Sequence, residues 1–143
     1  MTLNEFWSFI SSLEKRYALF RSTVTERFSL TAAEADILLF LANNPGRDTA
    51  ARIAKTRKIA KSHVSLAVKG LTERGFIEPY YEDGNKKSAH LRLLPPSHEA
   101  VEAGRAMQEK FAALLFHGFS DSERAEFSRL NKKIAQNLED LTC

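Results

Sequence analysis

Residues 49–78 read TAARIAKTRKIAKSHVSLAVKGLTERGFIE. Ile53 and Ala54 give the segment AARIAKT an inward side, and a break falls at Arg57-Lys58. Beyond it Val64, Val68 and Leu71 recur at i, i+4 and i+7, one apolar face of a second helix that stops near Gly75. Ser62, Leu66, Lys69 and Glu73 fall on the opposite side. A short helix, a tight turn and a second helix make a helix-turn-helix, the arrangement that lays its second helix in a DNA major groove. Asp48 is the expected N-cap of the first helix, and Ser62 is the nearest side chain able to cap the second.

Working outward, the period changes after Phe76. FIEPYY (76–81) and SAHLRLL (88–94) bracket EDGNKK (82–87), and Ala89, Leu91 and Leu93 alternate, which predicts two strands around a tight loop. Pro95-Pro96 closes this hairpin, a wing on the helix-turn-helix. Upstream, Thr31 and Glu34 form a capping box for a helix through Ile37, Leu38 and Leu41, ended by Asn43-Asn44-Pro45-Gly46. Before it, Leu3, Phe6, Ile10, Leu13, Tyr17, Phe20 and Val24 mark a long helix with a seam, broadened by Trp7 and Phe9. Downstream, a helix from about Ser97 to His117 carries Val101, Met107, Phe111, Leu114 and Leu115, and Ser120 with Glu123 caps a last helix bearing Phe127, Leu130, Ile134, Leu138 and Leu141. The expected fold class is mainly α with a small β-hairpin wing: four helices, the hairpin, two helices. Residues 1–143 read as a single domain in which a winged lobe, 30–96, is flanked by helical segments 1–29 and 97–143.

The chain carries 43% hydrophobic and 27% charged residues over 143 positions, enough for a folded core without disulfides or metal. Cys143 is the lone cysteine, which fits a reducing compartment. The start has no clean apolar run for a signal peptide, and no stretch approaches the roughly 20 apolar residues that span a bilayer; the expectation is a cytoplasmic protein with no membrane partner. The four histidines form no ligand pair, and no GxSxG, HExxH, CxxC or Walker-type loop occurs, so neither catalysis nor a metal or cofactor is expected. Net charge is only +3, yet residues 45–75 hold eight cations against Asp48 and Glu73, a surplus of six that leaves the rest of the chain acidic by three. Such a block suits a line of phosphates, because each neutralised phosphate releases a counterion. Lys55, Arg57, Lys58 and Lys61 would meet the backbone, while Ser62, His63, Ser65, Leu66 and Lys69 would face the groove, mixing donors for base edges with an apolar group suited to a thymine methyl.

The quoted run, followed by EDGNKKSAHLRLLP (82–95), resembles the winged helix-turn-helix of the MarR family of bacterial transcription regulators. The likeness extends over nearly all of the chain, since that family also has an N-terminal helix and two C-terminal helices outside the winged lobe. It implies a homodimer held by those outer helices, here through Phe6, Ile10, Leu13, Tyr17, Phe127, Leu130, Ile134 and Leu138, that binds double-stranded DNA at a pseudo-palindromic operator in a bacterial cytoplasm, on the nucleoid when bound. Ser62, Ser65, Leu66 and Lys69 would fall on the recognition helix, and Lys86 and Lys87, beside Asn85, on a wing reaching the minor groove. The family wing commonly shows Asp-x-Arg or Asp-Arg-Arg-Ser where this chain has Asn85-Lys86-Lys87-Ser88; lysine supplies the charge without the flat fork of arginine. Lys58 stands where the turn often holds Gly, and Ala60 where a Ser or Thr often opens the recognition helix. The resemblance also implies a small, often aromatic effector between winged lobe and dimer helices, for which Trp7, Tyr17 and Phe20 are the aromatic candidates. The rival reading is a winged-helix adaptor that meets another polypeptide through Leu66 and its neighbours.

Overall fold

The computed structural model describes residues 1–141, so Cys143 lies outside the described residues. Its order is α1 Leu3–Phe28, α2 Ala32–Asn43, α3 Ala50–Arg57, α4 Lys61–Glu73, β1 Ile77–Tyr80, β2 His90–Leu93, a 3-10 turn Pro95–Ser97, α5 His98–Leu115 and α6 Asp121–Asp140. This is the expected mainly helical architecture with a two-stranded wing. Reciprocal capping boxes open α2 at Thr31 and Glu34 and α6 at Ser120 and Glu123, and a third, Thr2 with Glu5, opens α1.

Two expected caps are corrected. Thr49, not Asp48, caps α3 by accepting from the Arg52 N–H, and Asp48 is drawn off to the hairpin. At α4 the cap position is Ala60 with no side-chain bond, and Ser62 already lies within the helix, where its hydroxyl no longer stands ahead of the first-turn N–H groups that a cap accepts from. Between the two helices Lys58 closes α3 with φ 55°, its N–H and that of Ile59 both returning to the Ala54 carbonyl. A side chain in this left-handed conformation costs on the order of 1 kcal/mol, a strain that the packing of α3 and α4 sustains.

Contacts gather residues 1–109 into one compact unit and 110–143 into another. In the first, α2 is the hub: Ala35 through Leu41 are buried in succession, with Ile37 and Leu38 essentially inaccessible. A helix apolar on all sides is stable only when enclosed on all sides. Enclosure comes from a core that includes Ile53 of α3, Val64, Ala67 and Leu71 of α4, Ile77 and Leu91 of the hairpin, and Val101 of α5. The hairpin is antiparallel, with Ile77 opposite Leu93 and Tyr80 opposite His90. A smaller cluster joins Val24 of α1, Leu39 and Met107, with Tyr17, Phe20 and Phe28 against it. Gly104 lets α5 sit tight on α2, since a Cβ there would come within 2.5 Å of the Leu39 side chain.

In the second unit Phe116 meets Phe119 and Phe127 edge-on, each at 5.4 Å between centroids, and Arg124 lies over the Phe116 ring. Every described residue of α6 is exposed in the single chain, including Phe127, Leu130, Ile134 and Leu138 at their regular three- and four-residue steps. Phe6, Ile10, Leu13 and Tyr17 on α1 are half-buried.

Because Leu71 is fully buried and Leu66, five residues on the same helix away, is 70% exposed, truncation of each has opposite weight. Leu71→Ala is expected to lower the unfolding free energy by about 2–5 kcal/mol and Leu66→Ala by less than about 0.5 kcal/mol, read from denaturant melts.

Candidate nucleic-acid interface

The helix-turn-helix orients its second helix by what it buries. Val64, Ala67 and Leu71 pack inward with Val68 half-buried, so Lys61, Ser62, His63, Ser65, Leu66 and Lys69 all stand exposed. Ser62, Leu66 and Lys69 are spaced i, i+4, i+7 and share one stripe. The approach to α2 is close: a Cβ on Gly70 would lie 2.8 Å from Glu34 Oε2. Beside this crossing runs a groove of about 380 Å³ lined by Thr31, Ala33, Glu34, His63, Leu66, Ala67 and Gly70. The Glu34 carboxylate is engaged there, accepting the Thr31 N–H at 2.8 Å.

Not every cation of the basic block is free. Arg74 donates to the carbonyls of Ser29 at 2.9 Å and Phe28 at 2.7 Å while its guanidinium lies over the Phe76 ring, tying the end of α4 to the end of α1. Arg57 Nη2 lies 3.5 Å from Asp36 Oδ1, and Arg21 Nη1 bonds Asp36 Oδ2 at 2.9 Å. Asp36 is buried on the hub helix, and a buried carboxylate left without cationic partners would be costly. Arg57 is thus engaged by Asp36, whereas Lys55, Lys58, Lys61 and Lys69 remain exposed.

The wing tip, Tyr81 to Ser88, is exposed throughout. Gly84 takes φ 78° at the turn, and Asn85 folds its side chain inward, its Oδ1 accepting the Lys87 N–H at 3.0 Å. Asn85 therefore shapes the loop, and Lys86 and Lys87 are the charges it presents.

The wing root holds a cluster that the sequence reading missed. The Asp48-Thr49 segment runs as a stub beside β2, with Leu91 N–H donating to the Asp48 carbonyl at 2.9 Å and Thr49 bridged to His90. The Asp48 carboxylate accepts the Tyr80 hydroxyl at 2.7 Å and pairs with His90 Nδ1 at 2.6 Å. The His90 ring stacks on Tyr80, and Arg92, paired with Glu78 at 3.0 Å, covers the Tyr80 ring at 4.3 Å to its centroid. Burial opposes ionisation of Asp48, but hydrogen bonds from His90 and Tyr80 and the His90 charge outweigh it and hold the carboxyl below its usual range. The bond to that carboxylate raises Tyr80. The available signal was the pair of adjacent cap-forming residues, Asp48 and Thr49, of which a helix uses one. Among the described residues no three His, Cys, Asp or Glu side chains converge as metal ligands would, and no described helix is long and apolar enough to cross a membrane.

The MarR family model matches residues 28–87, from the end of α1 to the wing tip. The winged lobe is a MarR-family module. No protein of curated function matches the chain. Solved structures of MarR proteins superpose along nearly its whole length. A MarR protein from Peptoclostridium difficile gives a TM-score of 0.81 at 17% identity, over 98% of this chain and 91% of that one. A putative MarR family regulator from Listeria monocytogenes, solved with a 26mer DNA, gives 0.79 at 19% identity, over 98% and 90%. Bordetella bronchiseptica BpsR, described as regulated in its DNA binding by 6-hydroxynicotinic acid, gives 0.70 at 18% identity, over 92% and 98%. At such identities the likeness establishes that α1, α5 and α6 share the MarR fold along with the lobe.

Asp48 predicts an acid limit on this MarR lobe. Since its folded pKa lies below the ordinary 3.8, the stabilisation is complete above the unfolded value and fades as pH falls through the folded one. Thermal melts of wild type and Asp48→Asn between about pH 7 and about pH 2 should therefore differ most near neutrality and converge at the acid end; a constant gap would contradict the assignment.

Proposed function

We propose that the chain is a sequence-specific double-stranded-DNA-binding transcription regulator, a repressor, acting as a homodimer on a pseudo-palindromic operator. The observation that carries this is the exposed stripe of α4, flanked by lysines and followed by a wing tip with two more, on a MarR-family lobe. Lys55, Lys58 and Lys61 would neutralise phosphates, and Ser62, His63, Ser65, Leu66 and Lys69 would face base edges. Lys86 and Lys87 would add charge from the wing, and the DNA complex of the Listeria relative supports the same use of the fold. Arg57 and Asn85, both exposed, would join them from the turn and the wing loop while also pairing with Asp36 and the Lys87 N–H. The absence of any described membrane-crossing helix fits a cytoplasmic regulator.

Two copies would cover what one leaves open. The apolar row of α6, Phe127, Leu130, Ile134 and Leu138, is exposed in one chain, and a solvated helix has no use for such a row. We assign this row, and separately the half-buried seam Phe6, Ile10, Leu13 and Tyr17 of α1, to a two-fold interface, which would present two α4 helices about 34 Å apart.

A small-molecule effector is the finer reading, favoured by a chamber of about 90 Å³ lined by Tyr17, Asp36, Leu39, Phe40, Asn43, Asn44, Arg57 and Gln108. Its walls reach from Tyr17 on α1 to Arg57 at the end of α3, and the bonds Asn43 to Gln108 and Gln108 to Tyr17, each 2.9 Å, tie α2, α5 and α1 around it. Of the aromatic candidates Tyr17 lines it, Phe20 packs with the Val24 cluster, and Trp7 is exposed beside Phe6. The BpsR relative and its 6-hydroxynicotinic acid support this use of the fold. The adaptor reading rests on Leu66 alone and is separated by salt, because phosphate contacts weaken with ionic strength and an apolar contact hardly responds.

Selection from random genomic DNA should enrich inverted repeats. On the recovered duplex Lys69→Ala is expected to alter base preference, while Lys86→Ala weakens all sequences alike and flattens the salt slope by about 0.9 per half-site; no enrichment in dilute buffer would sink the reading. Ile134→Asp should yield monomers by light scattering and lose operator affinity by at least about 100-fold.

A further inference from the structure

We infer that Leu66 reads the C5-methyl of a thymine in the major groove, an inference that rests on the DNA-binding reading and names what one residue of it recognises. Leu66 is 70% exposed at the centre of the outward stripe of α4. The inward side of that helix is already complete with Val64, Ala67 and Leu71, so the leucine adds nothing to the core. It stands at the lip of the groove beside α2, whose surface at Ala33, Ala67 and Gly70 is methyl groups or bare backbone. The one carboxylate there, Glu34, is held in the capping box of α2. Gly70 faces the end of the Glu34 side chain, which a Cβ there would meet at 2.8 Å.

The occupant follows from the charges around this apolar spot. Lys61 and Lys69 flank it on α4, each exposed, and a cationic rim around a small apolar centre calls for a polyanion that displays one apolar group. Duplex DNA displays one in its major groove, the thymine methyl, beside the donors and acceptors of base edges. Ser62 and Ser65, exposed on either side of Leu66, offer hydroxyls to those edges, and His63 at the groove edge offers a ring nitrogen. Leucine cannot hydrogen-bond, so what it selects is the methyl itself.

Deoxyuracil tests this, since it pairs as thymine does and lacks only that carbon. On a duplex recovered by selection from randomised double-stranded DNA, each thymine is replaced in turn by deoxyuracil and binding is followed by fluorescence anisotropy for wild type and Leu66→Ala. One thymine per half-site should lose about fourfold in wild-type affinity when replaced, and about fifteenfold when both half-sites are replaced, from the value of one buried methyl. Leu66→Ala, checked by its thermal melt to be folded, should bind the thymine duplex that much more weakly and show no further loss with deoxyuracil. Deoxyuracil tolerated at every thymine, or a penalty that persists in Leu66→Ala, overturns the inference while leaving DNA binding intact. Wild-type protein with no affinity for any duplex would overturn the DNA-binding reading and this inference together.

Discussion

The seating of α4 on the hub helix α2 is the constraint from which the rest follows. Val64, Ala67 and Leu71 are buried, and Gly70 faces the Glu34 carboxylate of α2, which an added carbon would meet at 2.8 Å. A helix held at three inward positions has no rotational freedom left, so which residues it shows outward is settled by what it buries. The outward stripe of Ser62, Leu66 and Lys69 is in this sense a product of the core. The enclosure of α2 on every side makes that seat rigid, because its buried run gives each neighbour only one way to pack.

Polar contacts then tie the recognition motif to its surroundings. Arg74 joins the end of α4 to the end of α1, Asp36 draws Arg21 and Arg57 together, and Asp48 holds the hairpin through His90 and Tyr80. Asp36 and Asp48 do so where the carboxylate is largely shielded from water and pairing matters more than on the surface, whereas Arg74 pairs at the surface. The effect is to engage part of the basic block while adding positional definition. The lysines of the basic block, with their flexible stems, are left to the solvent, while Arg57 and Arg74, with their planar forks, reach partners in the fold and still stand exposed. Under the proposed DNA-binding reading, that division would suit a surface in which a rigid frame carries mobile phosphate contacts.

The 110–143 unit poses the complementary problem. Its apolar residues on α6 are spaced for burial yet exposed in one chain, and the aromatic trio Phe116, Phe119 and Phe127 accounts for only one end of the helix. The proposed two-fold partner would resolve the imbalance without any further assumption about the winged lobe. The chamber at Tyr17, Asp36, Arg57 and Gln108 connects the outer helix α1 to the turn before α4, so a molecule bound there would act on the frame rather than on the groove-facing residues, provided it favoured one arrangement of that frame over another.

Much of this was legible along the chain. Helix spans, the hairpin, two of the three capping boxes and the inward face of α4 follow from local rules, because periodicity and cap chemistry act over three or four residues. Asp48 and Thr49 show where such rules end: both are good caps, and only the presence of His90 and Tyr80, about forty and thirty residues away, draws Asp48 aside. Arg57 and Arg74 read as members of a basic block and Asn85 as part of the wing tip; that they also hold Asp36, the Phe28 and Ser29 carbonyls and the Lys87 N–H is visible only in the folded chain. By itself the sequence determined the order of elements, the faces of the helices and the place of the positive charge. The tertiary structure alone decided which charges are spent inside, how near α4 lies to α2, and that Leu66 stands beside a groove, since each depends on residues brought together across distances that no local pattern encodes.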